Sequence, residues 1–313
     1  MKKILSLAVL VLFIIHATAQ NTTVERLKQE LKNHPQQDTF RINRLVELCG
    51  TGSLSIAELQ STANELVSVS RKAGNAVGEG YGYVYLAAAK ANKEGGPDVL
   101  LLLDKADSIA KKTGSHELLT TMLIKKSNYQ SNTDSKAALA TIMQAEEAAQ
   151  SSGNKTLQSK TQYYIGGLYM NSMADYPRSM EYYLKSINTA TEAGCRECLA
   201  ASWTTMALLY TRIGDESKAL SFFQKAYDVN KQLGDKNLEL TLLRNIGESY
   251  RLMGKYPEAI RYYKQSLEGL DDPFYIELEE SNIADVYVRM DSLRPAFEYR
   301  ARRSPIPGVC RKN

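Results

Sequence analysis

Chemistry-bearing side chains are sparse in this chain: its 313 residues include only three histidines, four cysteines and one tryptophan. His16 falls in an N-terminal leader. His34 and His116 lie in separate segments without a partnering motif, so they read as surface residues at helix ends, and no histidine-based acid–base site is indicated. Gly78, Gly80 and Gly82 lack the full G-x-G-x-x-G spacing, follow no strand and are not followed by G-K-[ST]. A nucleotide loop is therefore set aside in favour of close helix packing or a local break. No stretch alternates with the period of two that strands require, so an all-α chain is expected. Charge is also nearly balanced. The formal net charge of +4 falls to +2 if Lys2 and Lys3 are removed, because residues 1–19 contain no Asp or Glu. That leaves no electrostatic footprint for nucleic acid or an anionic membrane. No catalytic residue, metal set or cofactor is assigned, and the chain is not expected to be an enzyme.

Long apolar runs are missing too, except at the start. Residues 1–19 have the form of a secretory signal, with Lys2 and Lys3 ahead of an apolar core from Ile4 to Ile15 and a small-residue cleavage site at Ala17-Thr18-Ala19. The core is shorter than the roughly 20 residues a membrane span needs. The expectation is an exported product, periplasmic or secreted, cleaved near Ala19 and carrying no membrane span once mature.

What the sequence has in quantity is tyrosine, 19 in all. Tyr129, Tyr169, Tyr210, Tyr250 and Tyr287 stand 40, 41, 40 and 37 residues apart, each inside a segment of helical apolar spacing. Their neighbours recur: Trp203, Met206, Ala207, Tyr210, Gly214, Ala219, Phe223 and Ala226, then Leu243, Ile246, Gly247, Tyr250, Gly254, Ala259, Tyr263 and Ser266, and more loosely Ile165, Gly166, Tyr169, Ser179, Tyr183 and Ser186. This resembles the tetratricopeptide repeat, a tandem helix-pair unit of about 34 residues. The resemblance implies an α-solenoid wound as a right-handed superhelix. Small residues at the eighth, twentieth and twenty-seventh places would let paired helices approach, and aromatics at the eleventh and twenty-fourth would fill the gap to the next pair. The longer period here implies helices extended by a turn or more.

The same spacing predicts a lead-in helix over 23–33 within residues 20–37, and a repeat region over 38–303. Helix pairs are expected at 38–49 with 55–72, 76–92 with 97–113, 116–132 with 134–151, 155–173 with 176–193, 196–213 with 215–233, 237–253 with 256–270, and 274–290 with 292–303. The clearest repeats are 159–193, 200–233, 240–273 and 277–303. No composition shift divides them. In the last pair the register asks for an aromatic near 300 and a small residue near 303, where the chain has Arg300 and Arg303, with Pro305 and Pro307 beginning an irregular tail over 304–313. The expectation is an incomplete final pair in a shortened version of a longer protein, with a natural polar cap as the alternative.

Two groups of residues are candidates for function. Cys195 and Cys198, at the turn after Gly194, are spaced to pair in an oxidising compartment. A structural disulfide, two ordinary thiols, and a redox or metal role all remain open for them. The second group follows from the repeat resemblance, which implies a concave groove lined by first helices and able to take a protein or peptide partner. The inward places include Tyr163, Asn171, Thr211, Arg212, Arg244, Glu248, Arg251, Asp285 and Arg289. Arginines there would hold a carboxylate through forked hydrogen bonds. The competing view is a solvated face with local pairs such as Arg244 with Glu248. With the leader and the lead-in Asp38-Thr39-Phe40-Arg41, the chain also resembles the extracytoplasmic repeat region of bacterial membrane-bound histidine kinases and related regulators. That resemblance implies an exported binding scaffold, the sensor part of a signalling protein. A thiol–disulfide redox protein using Cys195 and Cys198 is the alternative.

Overall fold

The computed structural model describes residues 23–93 and 96–301. The leader over 1–19, Arg303 and the tail lie outside them. Fifteen helices and no strand occur among the described residues. Chain contacts divide the protein into two compact units, the first ending at Ala193 and the second beginning at Gly194. The first contains a single helix α1 (Thr23–Asn33) and the pairs α2 (Thr39–Gly50) with α3 (Ile56–Lys72), α4 (Ala76–Lys93) with α5 (Pro97–Thr113), α6 (His116–Gln130) with α7 (Ser135–Ser152), and α8 (Lys155–Ser172) with α9 (Tyr176–Ala193). The second contains α10 (Arg196–Ile213) with α11 (Glu216–Leu233), α12 (Lys236–Leu252) with α13 (Tyr256–Glu268), and α14 (Pro273–Arg289) with α15 (Leu293–Ala301). The fold is thus all-α, of the helix-pair solenoid class.

One dipeptide does much of the punctuation. Gly74, Gly114, Gly153 and Gly234 all adopt positive φ, which ends a helix without a Cβ penalty. Each is followed at once by a capping residue: the side chains of Asn75, Ser115, Asn154 and Asp235 accept from the backbone N–H of Gly78, Leu118, Leu157 and Leu238. One helix stops and the next starts within two residues. Gly194 with Cys195 repeats the device at the start of the second unit.

Within a pair, the helices meet at the expected small residues. A Cβ on Gly247 of α12 would stand 2.9 Å from two carbons of the Tyr263 ring on α13, and one on Gly166 of α8 would meet the Tyr183 ring of α9 at the same distance. Both rings are fully buried. Tyr263 also reaches the next pair, sharing a core with Ile283 and Val286, as Phe223 does with Leu242 and Ile246. The serine at the twenty-seventh place closes the other end of the contact: Ser186 Oγ donates to the Ser159 carbonyl at 2.9 Å and Ser266 Oγ to that of Leu240 at 3.3 Å. These two buried hydroxyls are therefore satisfied. The three glycines of α4 also sit in a continuous helix and pack closely, Gly78 and Gly82 against α3 and Gly80 against Leu118.

The structure corrects one reading of the tyrosine ladder and adds to another. The eleventh-place tyrosines stack within their own pair, on a ring of its second helix, and Tyr210 and Tyr250 also pack against the clusters shared with the next pair. Tyr169 lies on Tyr182, Tyr210 on Phe222, Tyr250 on Tyr262 and Tyr287 on Tyr299, with centroids 5.4–6.0 Å apart. Tyr129 is not a member of that ladder. Ser127 Oγ donates to the Ala138 carbonyl, which places Ser127 where Gly166 sits against the Ser179 carbonyl. Gln130 is therefore the eleventh-place residue, and its side chain accepts from Thr141. Gln130 and Thr141 are 11 residues apart where Tyr250 and Tyr262 are 12, so the connection after α6 is one residue shorter than the register assumed. In the last pair, Arg300 is exposed at the place where Tyr263 and Phe223 are buried, while Ala296 keeps its buried twentieth place.

These contacts predict opposite outcomes for two neighbouring kinds of glycine. Gly247→Leu overfills the helix crossing and should lower stability by about 1–3 kcal/mol. Gly167→Ala, whose new Cβ would meet only the Tyr183 hydroxyl at 3.6 Å, should be neutral or stabilising through better helix propensity. Urea midpoints of the two variants give the comparison, and equal shifts would contradict this packing.

Candidate functional site

The predicted groove residues fall in both units and are described separately. In the first, Tyr163 lies part-buried on α8 with its ring 5.9 Å from Tyr183, and Asn171 is exposed near the end of that helix. In the second, most of the predicted charges already hold one another. Arg251 on α12 grips Glu248 through Nε at 2.7 Å and a second nitrogen at 2.5 Å, while the Tyr263 hydroxyl donates to the same carboxylate at 2.7 Å. These bonds, Arg251 foremost, hold the Glu248 carboxyl below the usual range, although partial burial opposes them. Arg251 also approaches Asp285 on α14 at 3.7 Å, and Asp285 pairs with Arg289 at 2.8 Å. Glu216, at the start of α11, has its carboxyl pushed up by burial and by the nearby Glu248 charge.

Arg244 does not pair with Glu248, as a local i,i+4 reading expects. It crosses to the next pair and donates to Glu279 at 2.8 Å. Glu279 is fully buried on α14 and also accepts from Ser266 at 2.8 Å and Asn282 at 3.1 Å. A buried carboxylate at the third place of a first helix is stable only with such partners. The arginine thus fastens α12 to α14. Of the four arginines, Arg212 alone is exposed with no carboxylate partner among the described residues.

Cys195 and Cys198 are joined by a disulfide, with Cα atoms 5.3 Å apart. Cys195 is the N-cap of α10, and its Sγ also accepts from the Cys198 N–H at 3.2 Å. The spacing is that of a capping box, as in Ser55 with Glu58 at the start of α3. The bond is its covalent counterpart. Cys49 is buried, and burial, aided by the Glu65 charge, pushes its thiol up to about 12.

A cavity of about 420 Å³ opens in the first unit between α4, α5 and α6, and none of the predicted site residues lines it. Its floor is Ala87, Ala88, Ala91, Val99 and Leu103, and its polar wall is Lys125, Asn128, Asn132 and Asn92. Tyr129, displaced from the ladder, lines it too and donates to the Gly96 carbonyl at 3.1 Å. Among the described residues no cluster of His, Cys, Asp and Glu is arranged to hold a metal, and no helix is long and apolar enough to cross a membrane.

This architecture defines a helical-repeat protein whose stacked pairs expose polar first-helix surfaces. Residues 198–272 match the tetratricopeptide repeat family. A 93-residue stretch is 30% identical to the Photosystem I assembly protein Ycf3 of Prochlorococcus marinus, covering 30% of this chain and 49% of that protein. The chain thus spans about half the length of the curated relative it matches. Among solved structures, the fold is similar to a Signal Transduction ATPase with Numerous Domains with a tetratricopeptide repeat sensor from Pyrococcus horikoshii (TM-score 0.63, 14% identity, 89% of this chain and 45% of that one). It is likewise similar to the apo form of RapI (TM-score 0.65, 14% identity, 82% and 74%).

Two substitutions test the second unit's charge network. Arg244→Met should destabilise by about 1–3 kcal/mol by stripping a partner from a buried carboxylate, whereas Arg212→Met should leave the melting temperature unchanged. The Glu248 shift carries a pH signature. A depressed folded-state pKa contributes stability above the unfolded carboxylate value, near about 4.3, and loses it as pH falls through the folded value. Relative to wild type, Glu248→Gln should therefore lose less stability on acidification from neutral pH to below that window, as read by chemical denaturation at each pH.

Proposed function

We propose that the chain is an exported, non-enzymatic scaffold that binds a protein or peptide partner on its first-helix surface, as a free-standing extracytoplasmic adaptor or as the sensor part of a signalling protein. The signal-like residues 1–19 support export. The likeness in fold to a protein whose repeats form a sensor supports the sensing role. The observation that carries the binding role is the contrast among the arginines: Arg244, Arg251 and Arg289 are neutralised inside the unit, while Arg212 stands exposed and unpaired on the face a partner would meet. An unpaired surface guanidinium is a ready donor pair for a partner's carboxylate.

The test has two parts. Fractionation with N-terminal sequencing should find a product beginning at Gln20 outside the cytoplasm; a cytoplasmic product retaining Met1 would remove the export claim. A photo-crosslinker at position 212 should capture a partner that one at Lys225, on the second helix of the same pair, does not. The captured partner should bind Arg212→Ala about tenfold or more weakly, the cost of a charge-assisted hydrogen bond of roughly 1.5–3 kcal/mol. Undiminished binding would move recognition to another face.

Thiol–disulfide exchange by Cys195 and Cys198 is a second reading, supported by the bond's position at a helix N-terminus, where a thiolate is favoured. A reduction potential below about −300 mV would mark a structural bond, and one near −270 mV or above an exchanging pair.

A further inference from the structure

The cavity beneath α4 and α6 has a composition that selects its ligand. We infer that it binds a small carboxylate bearing one short apolar tail, either a free acid of that kind or the C-terminal residue of a peptide ending in a branched aliphatic side chain. The inference goes beyond the scaffold reading, because the site lies in the other unit and involves neither Arg212 nor the disulfide.

Charge comes first. Among the described residues Lys125 is the only charged one lining the cavity. The neighbouring Lys126 has a carboxylate partner, Asp104 on α5. Lys125 has no carboxylate and no hydrogen-bond acceptor for its ammonium among the described residues, and the one ionic neighbour acting on it is another cation, Lys160. Burial and that repulsion push its pKa down. An ammonium held in this way is costly alone and is relieved by an anion. Beside it stand Asn128, Asn132 and Asn92, three amides with no side-chain partner among the described residues, able to donate to the oxygens of a carboxylate. Among the described residues no Asp or Glu lines the wall, so an anion there meets no repulsion from these side chains.

Shape and polarity supply the rest. The apolar part of the lining is aliphatic, made of Ala87, Ala88, Ala91, Val99 and Leu103. Val99 and Leu103 are buried core residues, so this part of the lining is continuous with the hydrophobic core. About 420 Å³ lies at the small end of ligand pockets, which run from about 300 to 1,000 Å³. It is too small for an extended peptide segment and suits one residue-sized group. One end wants a negative charge and the other wants hydrocarbon.

Isothermal titration of the full chain with two probes tests this: N-acetyl-leucine, and a hexapeptide ending in leucine with a free carboxyl terminus. At least one should bind, and its C-terminal amide should not. Binding of the free acid alone assigns the site to a small molecule, and binding of the peptide alone assigns it to a chain terminus. Lys125→Met keeps the aliphatic stem and removes the charge; Ala88→Leu fills the apolar end and keeps the charge. Each should weaken binding at least tenfold, while Arg212→Ala should leave it unchanged. Failure of both probes to bind would overturn the assignment, as would equal binding of acid and amide, or undiminished binding to both variants once thermal melting shows them folded.

Discussion

The close crossing of paired helices, where an aromatic ring on the second helix rests on a residue with little or no side chain on the first, is the contact on which the rest of this protein depends. Tyr263 over Gly247 and Tyr183 over Gly166 are its sharpest forms, each with no room for another carbon. Once the ring is seated, its far edge and the aliphatic residues around it form the floor for the next pair. Polar detail is subordinate to that contact. The buried serines at the twenty-seventh place, the Tyr263 hydroxyl on Glu248 and the caps at each turn all satisfy groups that the crossing brings out of water.

The helices were legible in the sequence to within a residue or two because their ends are written locally. Gly74, Gly114, Gly153, Gly194 and Gly234, each followed by a capping residue, form a ladder with steps of 40, 39, 41 and 40. That ladder is a better ruler than the tyrosines. It runs through the first unit, where aromatic spacing failed, since Tyr129 is one residue away from the place that Gln130 fills. Side-chain partnership was far less legible. Arg244 and Glu248 are four residues apart on one helix, yet Arg244 reaches Glu279, 35 residues on. Intrahelical spacing names an available partner. The stacking of the next pair decides whether a better-buried one arrives.

The same reason hid the cavity. It exists because alanines on α4 face polar residues on α6 across an inter-pair seam, and an absence of volume has no motif. Sequence reasoning looked for function among arginines on the clearest repeats. Packing instead spends most of those arginines on internal carboxylates, and leaves Arg212 on the surface and Lys125 in a hollow without a carboxylate partner among the described residues.

A double-mutant cycle on Gly247 and Tyr263 measures the central contact directly. Gly247→Ala alone should destabilise, because its Cβ would lie 2.9 Å from the ring, and Tyr263→Leu alone should destabilise by emptying a buried site. Combined, they should cost less than the sum by roughly 0.5–3 kcal/mol, since removing the ring removes the clash. Strict additivity would mean that the ring and the glycine do not touch, and the account of how these pairs are built would be wrong.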